Sequence, residues 1–85
     1  MDSEYLKFKL LEQKGKIKIT EVLSKSHNNT RLGVIRWHGA WRQYVYYPES
    51  FTLYSKGCME DIITYIEKLN EDRRLARQIK LLNQG

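Results

Sequence analysis

Scarcity narrows this 85-residue sequence first: it has one cysteine, one proline and five glycines, and no apolar run near the roughly 20 residues of a membrane span. A single thiol, Cys58, excludes an intrachain disulfide framework and suits a reducing compartment. With so little proline and glycine the chain is neither a linker nor a low-complexity segment. No serine stands in a Gly-x-Ser-x-Gly context, and there is no glycine-rich phosphate loop. His27 and His38 fall in turn-forming stretches, far in sequence from Cys58, so the spacing of a structural zinc site is missing. Cys58 itself lies on an apolar helical stripe, where cysteine behaves as a small buried hydrophobe rather than a nucleophile. Glu60 and Asp61 are neighbours on a helix and diverge by about 100°, which does not make a carboxylate dyad. The expectation is a non-enzymatic protein with no catalytic residue, metal or cofactor. The opening MDSEYLKFKLLEQ has no basic stretch followed by an apolar run. A soluble, cytoplasmic protein is therefore expected.

What is present is a core and a charge. Hydrophobic residues make up 41% and aromatic residues 12% of the chain, enough for one small domain spanning residues 1–85. Lys and Arg outnumber Asp and Glu by 15 to 10, for a net charge of +5. Such a surplus favours polyanionic partners, nucleic acid or an acidic protein.

The centre of the chain is Arg31–Tyr47, RLGVIRWHGAWRQYVYY, which holds both tryptophans. It reads as two strands, Arg31–Trp37 and Trp41–Tyr47, joined by a turn at His38-Gly39-Ala40. Alternation puts Leu32, Val34 and Arg36 on one face against Gly33, Ile35 and Trp37. It likewise puts Trp41, Gln43, Val45 and Tyr47 against Arg42, Tyr44 and Tyr46. Both faces carry large rings, and which one a helix covers stays open.

Upstream, Leu6, Phe8 and Leu10 alternate with lysines. A helix capped by Ser3 is the competing reading, but period two holds for more residues, so a strand is expected. Glu12–Gly15 reads as a turn. Lys16–Ser24 alternates again and is rich in β-branched residues. Ser26–Thr30 is a polar loop whose Asn28-Asn29 pair tolerates left-handed backbone. Downstream, Pro48-Glu49-Ser50 interrupts the sheet, Phe51–Tyr54 reads as a further short strand, and Ser55 is the N-cap of a long helix.

Cys58, Ile62, Ile66 and Leu69 form that helix's apolar stripe. Beyond Asn70 a second stripe, Leu75, Ile79 and Leu82, is rotated away from the first. Either the helix bends near Asn70, or its last turns leave the domain and pack on something else. Arg73, Arg74, Arg77 and Lys80 decorate this extension. The expected architecture is α+β: an antiparallel sheet of four or five strands with one long C-terminal helix packed on one face. It divides into an N-terminal segment (1–15), the sheet (16–54) and the helix (55–83).

The stretch Leu32–Asp72, with Ile35-Arg36-Trp37, Trp41-Arg42-Gln43-Tyr44, Pro48-Glu49 and Cys58 followed by the Ile62/Ile66 helix, resembles a group of short uncharacterised proteins from phages and prokaryotic genomes. The resemblance implies no activity and no binding site. A phage-like context favours a nucleic-acid binder or a modulator of a host factor.

Two functional expectations follow. In the first, the sheet binds nucleic acid: Lys16, Lys18, Arg36 and Arg42 meet phosphates, while Trp41, Tyr44 or Tyr46 stacks on bases. The competing reading of the rings is hairpin core, and of the lysines a solvated or protected edge. In the second, Leu75, Ile79 and Leu82 form a protein interface, for a partner or for a second copy of the chain. Neither a membrane nor a small-molecule substrate is indicated.

Overall fold

The computed structural model describes residues 3–83; Met1 and Asp2 of the N-terminal segment, and Gln84 and Gly85, lie outside them. Four strands, β1 (Leu6–Lys14), β2 (Ile17–Ser24), β3 (Thr30–His38) and β4 (Gln43–Pro48), precede one helix, α1 (Lys56–Asn83). The sheet is an antiparallel meander in the order β1-β2-β3-β4. The fold is α+β.

The first hairpin is tighter than expected. The strand runs on through Glu12–Lys14, and only Gly15 and Lys16 turn, with Lys14 opposite Ile17. Gly15 has φ +60° while Lys16 does not. This is the pattern of a two-residue type II′ turn, whose twist matches the flanking strands. Ser3 does form a cap, but of the turn that enters β1: its hydroxyl accepts the Leu6 N–H at 2.9 Å.

Between β2 and β3 a short 3₁₀ turn, Lys25–His27, leads to Asn28 and Asn29, both left-handed at φ 52° and 59°. Amide side chains tolerate this region better than most residues.

The central turn is longer than His-Gly-Ala. Gly39 to Arg42 all belong to it, and β4 begins only at Gln43. Trp41 therefore sits at the tip of the hairpin, and Trp37 pairs across strands with Tyr44. The expected strand at Phe51–Tyr54 is absent, and residues 52–55 form no ladder. Side chains tie the segment down instead. The Thr52 hydroxyl donates to the Glu49 carbonyl (2.9 Å), and the Tyr54 hydroxyl donates to the Leu32 carbonyl (2.8 Å).

Ser55 caps α1, accepting the Cys58 N–H at 3.1 Å. The helix continues through Asn70 without interruption. At 1.5 Å per residue its length is about 42 Å, longer than any strand, and the molecule measures 50 × 20 × 19 Å.

The helix covers the face bearing Leu6, Phe8, Val22, Ile35 and Tyr44, which form the core with Ile62 and Leu69. Thr20 is buried on the same face, its hydroxyl 3.4 Å from that of Tyr65. Phe8 stacks on Tyr65, centroids 4.4 Å apart. Alternation turns Ile17, Ile19 and Leu23 to the other face, although they are the more apolar half of β2. Pairing settles this, because Val22 lies between Phe8 and Gly33, and Thr20 faces Ile35.

Gly33 makes room for Tyr46. A Cβ at residue 33 would lie 2.5 Å from the Tyr46 ring and from the Tyr47 carbonyl oxygen. That space lets the Tyr46 hydroxyl meet the Tyr54 hydroxyl at 2.8 Å. Burial, followed by this hydrogen bond, pushes the Tyr46 phenol well above its ordinary value of 10.0.

Candidate nucleic-acid interface

Arg73 continues the sheet-facing stripe of α1, following Ile62, Ile66 and Leu69. Arg77 and Lys80 carry it on at spacings of four and three. The apolar stripe therefore becomes basic where the helix outruns the sheet, and the cations point toward the β3–β4 turn. Between arm and turn lies an open cleft of about 800 Å³. Six cationic side chains line it: Lys16, Arg42, Arg73, Arg74, Arg77 and Lys80. Trp37, Gly39, Gln43, Asn70 and Ala76 complete it, with no acidic side chain among the described lining residues. Asp72 enters only the adjoining hollow of about 210 Å³, alongside Lys18 and Arg73.

Several contacts set this geometry. Asn70 accepts the Tyr44 N–H at 2.7 Å, fastening the helix to the start of β4. The Tyr44 hydroxyl accepts the Lys18 N–H at 3.0 Å, tying β4 to β2. The Arg73 guanidinium lies over Trp37, 5.4 Å from the ring centroid. Arg74 is partly spoken for: it makes a two-pronged ion pair with Glu71, whose carboxyl this hydrogen bonding holds below its ordinary value.

Of the residues expected to bind nucleic acid, Lys16 and Arg42 come together in the cleft, and Lys18 lies beside it. Arg42 is aimed from a left-handed backbone position, φ 51°. Arg36 is elsewhere, on the sheet face away from the helix, with its guanidinium over Tyr47 at 5.8 Å. Tyr44 is only 2% exposed and Tyr46 packs against the core, so neither can offer a ring face to a base. Trp41 does qualify: it is 66% exposed, touched by His38 in an edge contact at 4.6 Å. Two neighbouring lysines are engaged elsewhere. Lys14 pairs with Glu12 at 3.6 Å, and Lys25 donates to the Ser3 carbonyl at 2.8 Å. Sequence reasoning did not assign Arg73, Arg77 and Lys80 to the site. The signal was present, because their spacing keeps the phase of the core stripe.

Leu75, Ile79 and Leu82 are exposed on the outer side of the arm. Among the described residues no helix is long and apolar enough to cross a membrane, and no three His, Cys, Asp or Glu side chains gather as metal ligands would.

These features define a small basic α+β protein, a four-stranded meander under one helix whose free end walls a cationic cleft. Over 73 residues the chain is 36% identical to an uncharacterised 9.3-kDa protein of Acholeplasma phage L2, covering 85% of this chain and 92% of the phage protein. The chain belongs to the family of that phage protein. No family model matches it. No solved structure matches it either.

Proposed function

We propose that this protein is a non-enzymatic nucleic-acid-binding module that acts in the cytoplasm and binds through the basic cleft. The observation that carries the reading is the lining: six cations converge on one concavity with no acidic side chain among its described lining residues. A run of cations on one surface favours a polyphosphate, since each neutralised phosphate releases counterions. The lone thiol of Cys58 supports a reducing compartment.

The test is a titration of mixed-sequence nucleic acid at low and moderate salt, with the wild type and Arg77→Glu/Lys80→Glu. Both substitutions lie on the exposed arm, so helicity should be retained. Saturable binding that weakens linearly in log salt, and is lost in the variant, is the expected result. No binding at micromolar protein in low salt would overturn the reading, as would a variant that binds equally well.

A second reading has its own observation. The chain exposes 6329 Å², roughly a fifth more than a compact monomer of its mass, and the arm presents Leu75, Ile79 and Leu82 outward. On this reading the arm docks on a protein. Sedimentation of the wild type against Leu75→Asp/Ile79→Asp tests self-association.

A further inference from the structure

From the shape of the cleft and the direction of its charge, we infer that its ligand is a single nucleic-acid strand and not a duplex. The strand's phosphates run in the cleft, and one base stacks on Trp41. This rests on the nucleic-acid reading above and narrows it.

The first observation is the side of the arm that carries charge. Arg73, Arg77 and Lys80 line the cleft, whereas the outer side shows Leu75, Ile79 and Leu82, between 43% and 80% exposed. A duplex approaching the arm from outside meets leucine and isoleucine. An α-helix fits a major groove about 12 Å wide, but the cations of this one face the β3–β4 turn. A groove would have to admit arm and turn together. A single strand is flexible and can follow the cleft floor.

The second observation is Trp41, held in the same turn whose Gly39 and Arg42 line the cleft. It is 66% exposed, and the His38 contact is edge-on at 73°. A ring platform serves unstacked bases, because bases within a duplex already stack on one another. Trp37 is unsuited to the task, having Arg73 over its ring and Tyr44 at its edge.

The experiment is a fluorescence-anisotropy titration of a labelled mixed-sequence 12-mer (within the roughly 4–16 nucleotides of a single-strand site) as single-stranded DNA, as single-stranded RNA and as DNA duplex. Wild type, Trp41→Ala and Arg77→Glu are compared, with far-UV circular dichroism confirming that each is folded. At least one single strand should bind about ten-fold or more tighter than the duplex. Its log–log salt slope should reach at most about −4, at roughly −0.7 per phosphate for six cations. Trp41→Ala should weaken single-strand binding by about five- to 150-fold and leave the salt slope unchanged. Duplex binding as tight as single-strand binding, and weakened by Arg77→Glu, would overturn the single-strand inference while leaving the nucleic-acid reading intact. An unaltered affinity in Trp41→Ala would overturn the stacking role. Absence of binding to all three ligands in low salt would overturn the parent reading itself.

Discussion

The guanidinium of Arg73 on α1 lies over the indole of Trp37 on β3, 5.4 Å from its centroid. The contact marks where the buried stripe of the helix ends and the basic arm begins. Trp37 in turn meets Tyr44 edge-on, centroids 5.4 Å apart. Arg73 Nε is buried and has no hydrogen-bond partner among the described residues, so the cation is partly desolvated against the ring. Desolvation strengthens a cation–π contact to about 2 kcal/mol, against about 0.5–1 at exposed sites. Arg73→Ala should therefore lower stability by about 1 kcal/mol in urea unfolding. In a Trp41→Phe background the remaining Trp37 emission should shift to the red as water reaches the ring. An unshifted emission maximum would show that Arg73 does not cover Trp37 in solution.

Asn70 is the second fastening point. Its side-chain oxygen accepts the N–H of the buried Tyr44 at 2.7 Å. Asn70→Ala would leave that N–H without its partner, at a cost of about 1–3 kcal/mol. Asn70→Asp keeps an acceptor in place and should cost less. Equal losses in chemical denaturation of the two variants would argue against the hydrogen bond as the cause.

At Gly33 the expected effect is overpacking. A methyl group there collides with the Tyr46 ring and with the Tyr47 carbonyl. Gly33→Ala should destabilise by about 1–3 kcal/mol. Adding Tyr46→Phe should recover only part of the loss, because the Tyr47 carbonyl remains in the way. A melting temperature unchanged in Gly33→Ala would contradict this packing.

Tyr46 makes stability sensitive to alkali. Its phenol is raised above the ordinary 10.0, by burial first and then by Tyr54. Above about pH 10 the unfolded chain loses this proton while the folded chain keeps it. The stabilisation is thus complete below pH 10 and declines as pH rises, by up to about 1.4 kcal/mol per pH unit. Urea unfolding between pH 9 and 11 should show a steeper decline for the wild type than for Tyr46→Phe. Parallel slopes would mean that Tyr46 ionises as freely in the folded state as in the unfolded one.

Much of the fold was legible because it is local. Period two marked β1 to β4, Ser55 marked the helix start, and Asn28-Asn29 marked a turn. The helical spacing of Cys58, Ile62, Ile66 and Leu69 marked the stripe. The misreadings also have local causes. Phe51–Tyr54 has strand-like composition, but Thr52 and Tyr54 spend their hydroxyls on the Glu49 and Leu32 carbonyls, and no ladder forms. Trp41 continues the alternation of β4 on paper, yet the left-handed Arg42 places it in the turn. The change of stripe beyond Asn70 left open a bend or a departing helix end; α1 runs on through Asn70 as one helix, and the Asn70 side chain holds the Tyr44 N–H.

The candidate site was legible only in part. Lys16 and Arg42 could be singled out by charge and proximity to aromatic residues, but not their convergence with Arg73, Arg77 and Lys80. Those groups lie 31 to 64 positions from one another across the cleft, from Lys16 or Arg42 to the arm. Sequence alone determined the four strands in outline, the helix and the basic surplus, because periodicity, capping and charge are properties of short stretches. Only the tertiary structure decided which face the helix covers, that Tyr44 is inside and Trp41 outside, and where the basic arm points. Those outcomes depend on strand register, including the bulges at Leu10/Glu12 and Val22/Leu23, and on how one helix crosses the sheet. Alternation supplies two faces and no preference between them. Pairing Val22 with Gly33 and Phe8, and fastening Asn70 to Tyr44, makes the choice.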